Sequence, residues 1–448
     1  MASNAAICHY LYISSAAKCA TLVRACPDDL SKARMPTKKS TNANAAKPAK
    51  PAKPAKPAKP AKPAKQAKSG RATSTDKPIK VSKPKHRASK SPDVSAQVAN
   101  HLMHGALKLP AVTIGNYSLE LRNGNSFIGD SVSRSAFRDT VEVWRKVFAA
   151  LDGHDAFGSQ PIVEISKKKL DALYQGETLA ATAINAAMDD YALQLCGVVQ
   201  QFLADKSWAG VERIVVGGGF QQSAVGRAAI EKAAHLMAVQ QINVQMQTLR
   251  HHADEGGLLG WVHLAPPQFI RHYDALLTVD IGGTNVRCGI VRHNRKKAAD
   301  LSKAVVLSRT KWSHADDQEA TGRMALVEGI AAMLEKLVAK AKKMGLRLAP
   351  FVGVACPGLI CDDGSIAAGA QNLPGNWESM RFNLSTHLSR LLRHIDGQPA
   401  LVQLHNDAVV QGLSELPFMQ DVRRWAVLTV GTGLGNASFA NPPRLMHA

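Results

Sequence analysis

"LLTVDIGGTNVRCGIV", residues 276–291, is an apolar run that closes on a carboxylate, passes through two glycines and returns as a second apolar run. That pattern predicts a strand, a tight turn and a returning strand. Gly282 and Gly283 remove the Cβ atoms that would keep a ligand away from the backbone. Thr284 and Asn285 offer donors, Arg287 a positive charge, and Asp280 a carboxylate that can hold a hydrated Mg²⁺. Many Gly-Gly turns merely join strands; Asp-x-Gly-Gly-Thr-Asn followed by Arg287 is a far more specific signal and points to bound phosphate.

Further along, "FVGVACPGLICDDGSI" (351–366) gives another buried strand leading into Pro357 and Gly358, and "GAQNLPGNW" (369–377) follows with Asn372. "LVQLHNDAVVQGLSE" (401–415) is a strand that ends in Asn406 and Asp407 and runs into a helix. A carboxylate at the carboxyl end of a strand, at the mouth of an α/β crevice, is placed to take a proton from a substrate hydroxyl. The competing role for an Asp there is a helix N-cap. "WAVLTVGTGLGNASF" (425–439) supplies a second strand, glycine turn and strand.

The rest of the chain reads differently. Residues 1–100 hold 21 Lys and Arg against 4 Asp and Glu, whereas the other 348 residues carry 35 against 31, so the formal charge of +21 resides mainly in the amino-terminal part. Ala46 to Lys65 repeats Ala-Lys-Pro. Proline at every third position and mutually repelling lysines predict a disordered tail over residues 1–93. Such a tail is either a polyanion binder for DNA, RNA or polyphosphate, held by point charges, or a solubilising extension without a partner. No aromatic residue lies between 36 and 92, so base stacking is not expected. Met35 is the expected start of translation.

Seven cysteines (Cys8, Cys19, Cys26, Cys196, Cys288, Cys356 and Cys361) form no CxxC pair, which predicts reduced thiols in a cytoplasmic protein and no zinc site. No apolar run reaches the roughly 18 residues a membrane span requires.

Taken together, the motifs from residue 276 onward resemble the ROK family of sugar kinases and repressors, in the superfamily that includes actin and hexokinase. Asp280 to Arg287 corresponds to its first phosphate motif, and Gly431, Thr432, Gly433, Leu434 and Gly435 to its second. Asn372, Asn406 and Asp407 match sugar-contacting positions, with Asp407 as catalytic base, and Pro357 and Gly358 lie on the substrate side. The resemblance implies an α/β, two-lobed, actin- and hexokinase-like (ribonuclease H-like) fold, ATP as donor, Mg²⁺ near Asp280, a hexose as acceptor, with the 6-hydroxyl of glucose as the expected site, and allows a homodimer.

In that family a long carboxyl-terminal half follows the second phosphate hairpin, yet only 13 residues follow Gly435 here. The missing half is expected upstream. "VERIVVGGGFQQSAVGRAAI" (211–230) resembles the family's adenosine motif, with Gly217, Gly218 and Gly219 open to nucleotide. "TAINAAMDDYALQLCGVVQQFL" (182–203) sets Ile184, Met188, Leu195, Val199 and Phe202 along one side of a helix, and "RHHADEGGLLGWVHLA" (250–265) resembles the family's last helix. The order reads as a circular permutation, with residues 111–130 supplying further sheet strands. The alternative is that 94–268 is an unrelated domain. The expected lobes are 269–404, and 94–268 joined with 405–448.

Two departures limit the functional expectation. The family's Gly-Glu-x-Gly-His segment has no counterpart, nor does its Cys-x-Cys-Gly zinc cluster. A rebuilt sugar pocket would draw on Ser131, Ser133, Arg138, Asp139 and Glu142, whose other reading is a solvated helix face. His251 and His252 read as surface or capping groups, with nucleotide contact as the alternative. Besides an ATP-dependent hexose kinase, the sequence leaves open a sugar- or nucleotide-sensing regulator with a polyanion-binding tail, and a kinase using polyphosphate.

Overall fold

The computed structural model describes residues 103–319 and 322–443, so the lysine-rich tail, Met35, Cys8, Cys19 and Cys26 lie outside the described residues. The chain enters through β1 (Lys108–Leu109) and β2 (Val112–Tyr117), whose alternating burial marks a sheet with one covered face. Helix α1 (Arg134–Asp152) starts on a Ser133 side-chain cap and stops where Gly153 turns left-handed. Helices α2 (Lys167–Tyr174) and α3 (Leu179–Ala204) follow. In α3 the five apolar residues read as one face, Ile184, Met188, Leu195, Val199 and Phe202, are all fully buried.

Next come β3 (Arg213–Gly217), α4 (Ala224–Val239), β4 (Gln245–Thr248) and three short helices, α5 (Ala253–Leu259), α6 (Trp261–Leu264) and α7 (Pro267–His272). The opening motif forms β5 (Ala275–Ile281) and β6 (Val286–Arg292), a hairpin in register from Ala275–Arg292 to Ile281–Val286. After β7 (Val305–Trp312) and α8 (Arg323–Lys343) runs β8 (Leu348–Cys356), buried at all nine positions as a central parallel strand should be. Helix α9 (Leu384–Leu392), β9 (Leu401–Asn406), α10 (Asp407–Leu413), β10 (Arg424–Val430) and β11 (Leu434–Ala440) complete the chain.

These strands make two mixed sheets, in the orders β9-β8-β5-β6-β7 and β1-β2-β11-β10-β3-β4. Each sheet has a hairpin (β5–β6 or β10–β11) extended on one side by antiparallel pairing, with β7 in the first sheet and with β2 and the short β1 in the second, and on the other by two parallel strands. In the first sheet the hairpin comes first in the chain and the strands added to it on either side come after it. In the second, the hairpin comes last in the chain and its other strands come before the first sheet. Within residues 111–130 only β2 joins this sheet, because 122–127 folds as a separate two-stranded hairpin.

Three apolar cores stabilise the arrangement. One lies between the second sheet and α1, α3 and α4; one between the first sheet and α8 and α9. The third lies between the sheets, where α5, α6, α7 and α10 bring Trp261, Phe351, Trp425 and Phe439 together. Each such side chain contributes about 1.5–3 kcal/mol when fully buried. Trp261 lies so close against β8 that a Cβ on Gly353 would fall within its indole ring. The glycine there is therefore a packing requirement that fixes α6 against the first sheet. This core is the floor of the space between the two sheets.

Candidate functional site

The carboxyl ends of β3, β5, β8, β9 and β10 open onto one cleft of about 450 Å³. Strand ends collect there because parallel strands direct their connecting loops to one edge of the sheet. Of the residues assigned from sequence, Asp280, Gly282, Gly283, Thr284, Asn285, Arg287, Pro357, Gly358, Asn372, Asn406, Asp407, Gly431, Thr432, Gly433, Gly435, Gly218 and Gly219 all line it. Gly217 does not. It packs beneath the surface, where a Cβ would strike the Gln411 side chain, so its role is to admit α10 against β3.

The glycine turns at 282–285 and 431–433 face each other. Gly282 donates to the Asn285 carbonyl at 2.9 Å and Gly431 to that of Gly433 at 2.9 Å, closing each turn. A Cβ on Gly283 would lie 3.2 Å from Asn372 and 3.8 Å from Thr432, so both turns and the Asn372 loop meet at that glycine. The third turn is tighter. Gly218 has φ +84° and its missing Cβ would collide with the Val430 backbone, which leaves glycine as the residue that fits.

Asn406 and Asp407 divide two roles that the sequence left open between them. Asn406, not Asp407, is the N-cap of α10: its Oδ1 accepts from Ala408 at 3.0 Å and from Val409 at 3.2 Å. Its Nδ2 donates to the Gly358 carbonyl at 3.0 Å and to Ser118 at 3.1 Å. Asp407 is the first helical residue, and one of its oxygens accepts from Ala408 at 2.9 Å. Burial, and then the charge of Asp280, push its carboxyl up to about 7. A carboxylate of that basicity is suited to accept a proton near neutral pH.

Asp280 is held by Arg287 Nη1 at 3.2 Å, and Arg287 Nε also bonds Asp254. Burial raises the Asp280 carboxyl even though Arg287 draws it down. At Asp254 burial acts in the same direction, but Arg287 and Lys311 outweigh it and hold that carboxyl below its ordinary value. Lys311 closes the chain at 3.4 Å from Asp254. Asp280 thus lines the cleft as a hard oxygen donor with one oxygen engaged by Arg287, a chemistry that fits Mg²⁺ held through water.

Several sequence expectations are corrected. Ser131, Ser133, Arg138, Asp139 and Glu142 build no pocket. Ser133 caps α1, Ser131 bonds the Ile128 carbonyl at 2.8 Å, and Arg138 binds the carbonyls of Ile162, Val163 and Ile165. Glu142 pairs with Arg145 at 3.3 Å, and Asp139 is exposed. Their neighbours Asp130 and Arg134 line the cleft in their place. The capping expectation for the tandem histidines holds for His252, which caps α5 through Asp254 at 3.2 Å, while His251 bonds the Ser414 carbonyl at 3.2 Å; neither lines the cleft.

Sequence reasoning missed Asp254, Lys311, Arg134, Lys167, Ser118 and Gln371, all of which belong to the cleft or its ion pairs. Asp254 stood in "ADEGG", inside the stretch likened to the family's last helix, and was the one that could have been found. Among the described residues no group of three or more His, Cys, Asp or Glu side chains is arranged to ligate a metal directly. Cys196, Cys288, Cys356 and Cys361 are free thiols, and no helix among the described residues is long and apolar enough to cross a membrane.

Two sheets of matching strand plan, a cleft between them and glycine turns at the strand ends define the actin- and hexokinase-like fold. Residues 276–443 match the model of the ROK family. A candidate N-acetylmannosamine kinase from Listeria monocytogenes is similar at 24% identity and a TM-score of 0.27, covering 37% of this chain and 47% of its own. A candidate sugar kinase from Cytophaga hutchinsonii is similar at 21% identity and 0.27, over 37% and 48%. An exopolyphosphatase from the same organism follows at 15% identity and 0.22, over 37% and 50%. The chain spans about half the length of these solved structures. No curated protein matches it.

Proposed function

We propose that the chain is an ATP-dependent sugar kinase that phosphorylates a hexose hydroxyl, the 6-hydroxyl of glucose being the acceptor the family resemblance favours. The observation that carries this reading is Asp407: a half-buried carboxyl raised to about 7, free of the capping role, facing the same cleft as two opposed glycine turns. Asn372, Asn406 and the Pro357-Gly358 turn would orient the sugar so that its hydroxyl lies against Asp407. The turns at 282–285 and 431–433 would hold the donor phosphates through backbone donors, because phosphoryl transfer depends mainly on positioning and charge neutralisation. Asp280 would hold Mg²⁺ through water, and the ion would offset negative charge on the phosphates. Asp407 would accept the hydroxyl proton as the oxygen attacks.

We further propose that the order of the chain is a circular permutation. The strand plan of the second sheet supports this: it repeats that of the first, but with its hairpin at the end of the chain and its other strands ahead of the first sheet. The lobes would then comprise residues 269–404, and 94–268 with 405–448. Permutation is tolerated where a surface connection can be cut and the former termini lie close together.

A coupled assay of ADP release with Mg-ATP and a panel of hexoses, run beside Asp407→Ala, tests the function. Turnover with one sugar that vanishes in the variant supports the reading and names the acceptor. Binding of ATP without turnover on any sugar would replace it with a sensing role.

A further inference from the structure

Two cations in the cleft lack a carboxylate partner among the described residues. Arg134 begins α1, and its backbone amide bonds the Gly431 carbonyl at 3.0 Å, which sets it beside the second glycine turn. Lys167 begins α2, and its ammonium donates to the Gly219 carbonyl at 2.9 Å and to Gln222 at 3.3 Å, which sets it over the third turn. Both are partly buried and line the cleft. Neither lies within 4.0 Å of a carboxylate among the described residues, unlike Arg287 and Lys311, which share Asp254. The nearby acidic residues do not compensate them: Glu120 is paired with Arg122 at 2.7 Å, and Asp130 forms no ion pair with either.

This is an unfavourable arrangement for a protein with nothing bound. Withdrawing an ammonium from water and facing it with further positive charge costs free energy that neutral carbonyl acceptors only partly offset. Burial first, and then the charges of Arg134 and Lys311, lower the affinity of the Lys167 amine for its proton, with the charge of Asp254 offsetting only part of this. Basic residues at the first position of two separate helices also oppose both helix dipoles. An anion lying between the second and third glycine turns would relieve all three effects. The two cations flank different glycine turns of the same cleft, Arg134 at Gly431 and Lys167 at Gly219.

We infer that Arg134 and Lys167 form a subsite for the run of phosphates behind the reacting group of the donor. This rests on the kinase reading for the identity of the site, and it adds two residues outside every motif that relates the chain to its family. Arginine offers a fork of donors and lysine a point charge, a pairing that suits consecutive phosphate groups. The chemistry is shared by a nucleoside triphosphate and by inorganic polyphosphate.

The test is calorimetric titration of the full chain with sodium tripolyphosphate, ATP and adenosine at fixed ionic strength. It uses wild type, Arg134→Gln, Lys167→Gln, the charge-keeping Lys167→Arg, and Lys168→Gln as an exposed control from the same turn; the lysine-rich tail adds the same background to each. The expected result is a loss of about tenfold in tripolyphosphate and ATP affinity for each Gln variant at 134 and 167. Lys167→Arg should regain most of it, and adenosine binding and Lys168→Gln should be unchanged. The ligand held more tightly by wild type identifies the source of the phosphate run. Tripolyphosphate and ATP affinities unchanged in both Gln variants, or lost equally in Lys168→Gln, would overturn the subsite. Because binding is read directly, absence of sugar turnover alongside the expected losses would remove the kinase reading and leave the subsite standing.

Discussion

Asn406 caps the helix that Asp407 begins: the amide side chain accepts the Ala408 and Val409 hydrogens at 3.0 and 3.2 Å, and the carboxylate next to it is released from that duty. The consequence is that the helix cap and the free carboxylate are carried by different, adjacent side chains. Asp407→Asn should therefore fold as wild type does, with near-identical circular dichroism, while turnover falls about 10²–10⁴-fold, the usual contribution of a positioned base. Steady-state kinetics on the purified variant decide it, and retained activity would exclude Asp407 as the base.

At Asn406 the opposite outcome is expected. Asn406→Ala removes a helix cap and also the bonds to Gly358 and Ser118. It should cost about 1–3 kcal/mol in denaturant unfolding, the range for a lost cap together with buried partners left unpaired. A loss below a few tenths would mean that α10 does not depend on this cap.

The pH response follows from the raised Asp407 carboxyl. Activity should climb as pH rises through about 7, because the base must be ionised to accept a proton. Stability should move the other way. A carboxyl that ionises near 3.8 in the unfolded chain and about 7 in the folded one binds its proton more tightly when folded, so stability is lost as pH rises between those values. Asp407→Asn should then melt above wild type at pH 8, by on the order of 1–3 kcal/mol, with the gap closing as pH falls toward 4. Thermal melts across that range are the check.

The ion chain Asp280, Arg287, Asp254, Lys311 gives a fourth expectation. Arg287→Met leaves two carboxylates without their shared partner and should destabilise the protein by about 3–5 kcal/mol, as breaking a buried pair does. Adding Asp254→Asn should recover part of that loss, with a coupling of about 0.5–3 kcal/mol in a double-mutant cycle. Strict additivity would show that Arg287 and Asp254 do not interact in solution.

What could be read from the sequence was local. Gly282–Gly283 and Gly431–Gly433 announced their turns because glycines between two apolar runs favour a tight reversal of the chain, and that signal lies within a few neighbouring residues. Asn406 and Asp407 were placed by the strand that ends on them, although which of the two caps and which is free depended on the angle at which α10 leaves β9. The polar residues of 131–142 misled for the same reason: composition shows that Arg138 is polar, and only packing shows that it is spent on the carbonyls of Ile162, Val163 and Ile165.

By itself the sequence determined the hairpins, the glycine turns and the separation of a lysine-rich tail from a near-neutral body, all of which follow from the chemistry of neighbouring residues. The tertiary structure alone decided that Asp254 reaches Arg287 across 33 positions, that Lys167 lies on Gly219 across 52, and that Gly217 is buried while Gly218 is not. Those relationships depend on how two sheets and their crossing helices are oriented in space. No pattern of neighbours encodes that orientation, because it is set by the summed packing of Trp261, Phe351, Trp425 and Phe439 between the sheets.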